Sequence, residues 1–290
     1  MSLIKYQILA KVVDVNSFTK AADQLGLTQS AVSHAITSLE NEFGFLLINR
    51  DRSGINLTRE GELLLPSIRT VLQMDEKIHQ EASALLGVTK GTVSVGVFTS
   101  VSRHLLPQII QTMDEKYPFV KIRLSEGNYK EIEEALIRGE LDCGFINKLA
   151  FKPFRVTPLK KDRILCIVSP ESKLYTQSTI SFSQLEKEPF IMPAFGGYHE
   201  VKRILAENHC KPNVRFELME ENAILAMVAH HLGISILPEL VLPENIMPLK
   251  AIPLSSDNYR TISLATRNLP SPAAKCFAEV TKEIIESMSE

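Results

Sequence analysis

Residues 28–37 read TQSAVSHAIT, a run rich in hydrogen-bonding side chains and empty of charge. Taken as a helix, it turns Val32, Ile36 and Leu39 inward and leaves Gln29, Ser30, Ser33, His34 and Thr37 outside. An amide, an imidazole and several hydroxyls on one face can present a pattern of donors and acceptors without net charge. Arg50 and Arg52 follow in a charged turn, INRDRSG. A second group of candidates, Thr99, Ser100 and Ser102, stands where an apolar, strand-like run passes into a helix. Unpaired backbone N–H groups and the helix dipole at such a point suit a carboxylate or another small anion; on the plainer reading these hydroxyls only cap the helix.

Catalytic chemistry finds little support. HExxH, GxSxG and GxxxxGKS are absent, which removes the motifs for zinc hydrolysis, serine hydrolysis and phosphate cradling. His230 and His231 read as helical neighbours, and adjacent helical residues point about 100° apart, so they do not chelate together. The expectation is therefore no enzyme, no catalytic residue, no metal and no cofactor. Cys143, Cys166, Cys210 and Cys276 are far apart and form no CxxC pair, a pattern of reduced thiols. Cys210, in ENHCKPN, is the thiol an oxidant-sensing role would use, and that role needs an exposed, low-pKa sulfur. Cys143, in LDCGF, reads as a buried strand residue.

The elements that must position these residues follow from periodicity. Leu3, Tyr6, Leu9 and Val13 stripe a first helix, Ser17 caps a second with Phe18, Ala21, Ala22 and Leu25 inward, and Gly26 ends it. Thr28 caps the third. Two short helices joined around a glycine match a helix-turn-helix unit, and FLLINRDRSGINLT after Gly44 reads as a hairpin-like wing. From Thr58, Leu64, Ile68, Val71, Asp75, Ile78, Ala82 and Leu85 alternate spacings of four and three, a heptad seam broken only at Asp75. Such a helix either packs on its own domain or pairs with a second copy; the repeat runs past the small N-terminal unit, which favours pairing. Gly87 and Gly91 mark a linker. Beyond it, strands alternate with helices in two similar βαβ sets, which invites a two-lobed domain with a cleft.

Composition excludes more than it selects. The chain has 290 residues and a net charge of −2, so no global basic field advertises a nucleic acid. Within the first 60 residues the charges cancel. No run approaches the roughly 18 apolar residues of a membrane span, and MSLIKYQILAKVV lacks the basic start and cleavage site of a signal peptide. A cytoplasmic location is expected, without a membrane partner.

The run NSFTKAADQLGLTQSAVSHAITSLENEFGFLLINRDRSGINLTREGE closely resembles the winged helix-turn-helix of LysR-type transcriptional regulators. Ser17-Phe18-Thr19, Ala21-Ala22, Leu25, Gln29 to Ser33, Ile36, Leu39-Glu40, Gly44, Arg50, Leu57-Thr58 and Gly61 carry the match, and GVFTSVSRHLLP, LDCGF and AMVAHHLGISILPE extend it along the chain. The resemblance implies an α/β protein with an all-α winged helix-turn-helix domain at 1–57 and a linker and dimerisation helix at 58–90. A two-lobed, periplasmic-binding-protein-like effector domain would follow at 91–290. Lobe I is expected at about 91–159 plus 265–290, and lobe II at about 160–264.

Ser17, Thr28, Gln29, Ser30, Ser33, His34, Thr37, Arg50 and Arg52 would then contact double-stranded promoter DNA. Leu64, Ile68, Val71, Ile78 and Leu85 would join copies into a homodimer, and by family habit a homotetramer. RNA polymerase would be a further partner of an activator. A small-molecule effector would meet Thr99, Ser100, Ser102, Ser125, Asn128, Asn147, Phe195 and Gly196. The family often has arginine where this chain has His34; arginine grips guanine through two parallel hydrogen bonds, which imidazole cannot do. The alternative is a soluble small-molecule-binding protein whose N-terminal helices serve only oligomerisation.

Overall fold

The computed structural model describes residues 3–51, 54–194 and 199–288. Three helices, α1 (Leu3–Val15), α2 (Phe18–Leu25) and α3 (Gln29–Phe43), precede a wing of two antiparallel strands, β1 (Ile48–Asp51) and β2 (Gly54–Leu57). Their core gathers Leu9 and Val12 from α1, Ala21 and Ala22 from α2, and Val32, Ile36 and Leu39 from α3. The alanines let α2 lie close to its neighbours.

Helix α4 (Arg59–Leu85) starts at Thr58, whose Oγ1 accepts the Gly61 N–H at 3.0 Å. Gly61 is required by space: a Cβ there would stand 2.3 Å from the Leu47 carbonyl oxygen. The expected seam along α4 divides. Ile68 is buried in the helix-turn-helix core, which corrects its assignment to a surface between copies; Leu64 packs beside it and is half-buried. Val71, Ile78 and Leu85 are exposed, increasingly so along the helix. The seam splits because the first turns of α4 close the small N-terminal core, which has too few apolar residues of its own.

The remaining chain forms two lobes. Lobe I holds β3 (Gly91–Val97), α5 (Thr99–His104), α6 (Leu106–Lys116), β4 (Val120–Glu126), α7 (Tyr129–Ile137) and β5 (Cys143–Ile146), with β3 parallel to β4 and β5. Strand β6 (Arg155–Val168) then crosses between lobes. Lobe II carries α8 (Phe182–Leu185), β7 (Pro189–Pro193), α9 (His199–Glu207), β8 (Asn213–Leu218), α10 (Glu221–Ala229), β9 (Ser235–Pro238) and β10 (Lys250–Pro253). The chain returns through β11 (Tyr259–Thr266) and closes lobe I with α11 (Pro272–Ser287).

The lobe boundary lies a few residues from the expected one. Residues 155–163 of β6 pair with β11, while Ile164 to Val168 pair with β9 and β10. Ile262 and Leu264 pack in the lobe I core, so lobe II spans about 164–258 rather than 160–264. Each lobe has its own apolar core, one around Phe145 and Phe277, the other around Phe190 and Ile236. Only the crossing strands tie the two together as a continuous backbone.

Candidate DNA-reading face and effector cleft

The outer face of α3 is built by its cap and turn. Gly26 adopts φ 66°, a left-handed conformation that favours glycine, and α2 stops there. Ser17 Oγ accepts the Lys20 N–H and Thr28 Oγ1 accepts the Ala31 N–H, each at 3.2 Å, so both hydroxyls cap helices. Gln29, Ser30, His34 and Thr37 are exposed and Ser33 is half-buried; Gln29 is exposed because it opens the helix, although it lies one turn before Val32 on the same side. Arg50 lies in β1 opposite Ile55. Arg52, Phe195 and Gly196 lie outside the described residues.

One residue that sets this geometry was not read as functional from the sequence. Glu40 is buried, and its Oε1 accepts the N–H groups of Leu47 (2.9 Å) and Ile48 (3.2 Å). The carboxylate thus fixes the wing against the end of α3. The signal available was an acid on an otherwise apolar helix face just before a glycine turn. Asn16, at φ 48°, adds a second tie by accepting the Ile55 N–H at 3.1 Å.

Between the lobes lies a cavity of about 870 Å³ lined by Asn128, Tyr129, Asn147, Glu200, Arg203 and Arg260 among others. Its wall is organised around Arg260 of β11, which donates from Nε to Asp162 (2.7 Å), from Nη1 to the Tyr129 hydroxyl (2.7 Å) and from Nη2 to Ser100 Oγ (2.8 Å). Burial opposes a charge on Arg260, but Tyr129, Asp162 and Glu200 hold the guanidinium protonated. Burial pushes the Tyr129 phenol up, so it stays neutral. Across the cavity, Glu200 in the first turn of α9 accepts a hydrogen bond from Asn147 Nδ2 at the end of β5, bridging the lobes.

The expected effector residues divide accordingly. Asn147 and Asn128 line the cavity, although Asn128 also caps α7 by accepting the Glu131 N–H at 3.0 Å. Ser100 is buried against Arg260, and the buried Ser102 Oγ has no partner among the described residues. Thr99 is exposed at the start of α5. Ser125 does not join them: it lines a second cavity, of about 710 Å³, between α1, α4 and lobe I. The residues missed from sequence are Tyr129, Asp162, Glu200 and Arg260; each is an ordinary surface-type residue until the fold buries it.

The second cavity holds another buried arginine. Arg69 of α4 donates to Asp14 of α1, to Glu140 (2.6 Å) and to the Arg138 carbonyl (3.3 Å). Gln73 reaches the Gly139 carbonyl at 3.2 Å. The helix-turn-helix domain and lobe I are therefore pinned to the same turn of α4.

The thiols and histidines do not gather into chemistry. Cys210 is buried, and desolvation pushes its thiol up to about 11, the opposite of the exposed, low-pKa sulfur that oxidant sensing needs. Burial also raises Cys143, as its strand position suggested. His230 and His231 lie past the end of α10 rather than within it; His231 takes φ 56° and its Nδ1 lies 2.9 Å from Ser169 Oγ. No group of histidines, cysteines and acids among the described residues could hold a metal. No helix among them is long and apolar enough to cross a membrane.

Residues 3–62 match the family model for the bacterial regulatory helix-turn-helix protein of the lysR family, and residues 87–285 match that for the LysR substrate binding domain. The HTH-type transcriptional regulator YvbU of Bacillus subtilis is 32% identical, with 98% of this chain and 99% of the relative covered. The hydrogen peroxide-inducible genes activator of Haemophilus influenzae is 27% identical, covering 99% of this chain and all of its own. A full-length OxyR variant from Pseudomonas aeruginosa shares the fold with a TM-score of 0.82 at 22% identity, covering 99% of this chain and 95% of that one. Helix-turn-helix, linker helix and two-lobed domain match in order along one chain, and this protein belongs to the LysR family of transcriptional regulators, with a DNA-binding helix-turn-helix domain and an effector-binding domain.

Proposed function

We propose that Gln29, Ser30, Ser33, His34 and Thr37 read base edges in a promoter major groove, with Arg50 and Arg52 of the wing on phosphates or the minor groove. The observation that carries this reading is the exposed, uncharged polar face of α3, set out by capped helix ends and by Glu40. Phosphate contacts from hydroxyls and helix N-termini need no net charge, which accommodates the neutral N-terminal domain. Val71, Ile78 and Leu85 on α4 supply an apolar stripe for a second copy, and a tetramer would follow from a further contact between effector domains. The regulator acts in the cytoplasm, is not an enzyme, and as an activator would engage RNA polymerase.

The effector occupies the inter-lobe cavity. Arg260 uses three of its five N–H groups on Asp162, Tyr129 and Ser100, which leaves donors for a carboxylate or another small anionic end. Occupation shifts the balance between lobe arrangements, provided the ligand favours one of them. Three buried thiols, and a half-buried Cys276 whose thiol is pushed up by burial, disfavour a second reading, peroxide sensing through cysteine.

Gel-shift titrations test the DNA-reading face. Gln29→Ala should weaken operator binding by roughly 10-fold or more, since one bidentate base contact contributes about 1–3 kcal/mol, while binding to unrelated DNA stays put. Arg50→Ala should weaken both and flatten the salt dependence. Unchanged operator affinity in both variants would sink the assignment.

A further inference from the structure

Glu200 stands out among the charged groups of the inter-lobe cavity. Its neighbours are matched: Lys148 pairs with Glu133 at 2.6 Å, Arg203 with Glu207 at 2.7 Å, and Arg260 with Asp162 at 2.7 Å. Glu200 makes no direct ion pair among the described residues, although it is only 8% exposed; the charges of Arg260 and Arg203 act on it only from beyond contact distance. One carboxylate oxygen accepts from the Asn147 amide; the other, Oε2, is sealed from water and has no hydrogen-bond partner among the described residues. A neutral amide does not neutralise a carboxylate, and a buried acceptor without a donor is rare in a native protein. Asp257, also on the cavity wall, is exposed and its charge acts on Arg163.

We propose that Glu200 is the recognition group for a positively charged, hydrogen-bond-donating part of the effector, an ammonium or guanidinium that takes the free carboxylate oxygen. This rests on the inter-lobe cavity being the effector site and narrows its ligand class. Combined with the spare donors of Arg260, it describes an amphoteric molecule such as an amino acid or a close relative, with its cation toward α9 in lobe II and its anion toward β11. Such a ligand touches both walls of the cleft and adds an ion pair where only the Asn147–Glu200 hydrogen bond now bridges the lobes at Glu200. A dicarboxylate without an amine would instead bring a further negative charge to Glu200.

The test is calorimetric titration of the full-length protein with two matched panels. One holds amino acids, putrescine and agmatine; the other holds the corresponding 2-hydroxy acids and dicarboxylates, which lack nitrogen. Wild type, Glu200→Gln and Leu149→Trp are compared. The first variant keeps the shape of the side chain and removes its charge; the second fills the cavity mouth from an exposed position on its wall. Thermal melts without ligand establish that each variant is folded.

The expected result is binding by a member of the amine panel that falls at least tenfold in Glu200→Gln and is lost in Leu149→Trp. If the amine binds Glu200→Gln as well as wild type but not Leu149→Trp, the cavity stands as the effector site and the role of Glu200 is overturned. If neither variant affects binding, the cavity itself is the wrong site and the inference falls with it. A protein that binds no amine, whether or not it binds the nitrogen-free acids, also overturns the inference.

Discussion

Two arginines are buried equally and hold different things together. Arg260 and Arg69 both have side chains 6% exposed; Arg260 ties β11 to three other segments of chain and Arg69 ties α4 to two. The partner of Arg260, Asp162, is sealed as well at 2%, and both sit where β6 and β11 cross between lobes. Arg69 instead reaches out to Asp14 and Glu140, whose side chains are 46% and 32% exposed. Burial works against ionised Glu140, but hydrogen bonds from Arg138 and Arg69 hold its carboxyl below the usual range. A pair desolvated on both sides resists breaking, because either charge alone would be stranded. A pair with wetted acids can exchange partners for water at small cost. The fold thus sets a stiff staple at the strands shared by the two lobes and a releasable one between DNA-reading domain and effector domain, where a regulator needs to move.

The sharpest way to break this contrast is Asp162→Asn. It leaves Arg260 buried with its charge unneutralised, and the expected loss is about 3–5 kcal/mol of stability. Urea unfolding of the full chain reads this as a lower midpoint, and a loss near that of a surface pair would put Arg260 in the same class as Arg69. Arg69→Gln should cost less, about 1–3 kcal/mol from lost charge-assisted hydrogen bonds. Its distinguishing sign is local: amide exchange should quicken in residues 138–142 and at the end of α1, while β6 and β11 stay protected. Equal deprotection of both regions would show that the two staples form one cooperative unit.

The same contrast explains what the sequence made legible. The N-terminal domain could be read because its determinants are local: Ser17, Gly26, Thr28 and Gly44 mark ends within a few residues of the helices they bound. The seam on α4 was visible as a repeat, but a repeat does not say whose core it fills, and Ile68 fills its own. The first half of β6 is hard to read because Pro158 and the lysines after it interrupt the apolar run. The ladder absorbs the proline at a register shift opposite Ile262 and Ser263. The Arg260 cluster was invisible for a deeper reason. Asp162 and Ser100 lie 98 and 160 residues from Arg260 in sequence, and only the return of β11 between β5 and β6 brings them together.

Glu200 is also buried, and it extends the comparison to a group with no direct ion pair among the described residues. Burial pushes its carboxyl above the ordinary value of 4.5, while hydrogen bonds from its own backbone and Asn147, and the charges of Arg260 and Arg203, pull the other way and lose. An acid whose native pKa is raised binds more protons folded than unfolded between the two values, so its contribution to stability declines as pH rises through that window. Above the raised value the full penalty of holding the carboxylate is present; below 4.5 both states are protonated and it vanishes. Glu200→Gln should therefore melt higher than wild type at pH 8, by an amount smaller than either arginine effect, and the difference should shrink steadily as the pH is lowered toward 4. Melting curves of the two proteins across that range check it. A constant difference would mean that Gln merely packs better, and a lower melting temperature at pH 8 would mean that the carboxylate has a cation of its own. The expected pH dependence would make ionised Glu200 a local cost to the empty cavity, one that a cation placed against the carboxylate would offset.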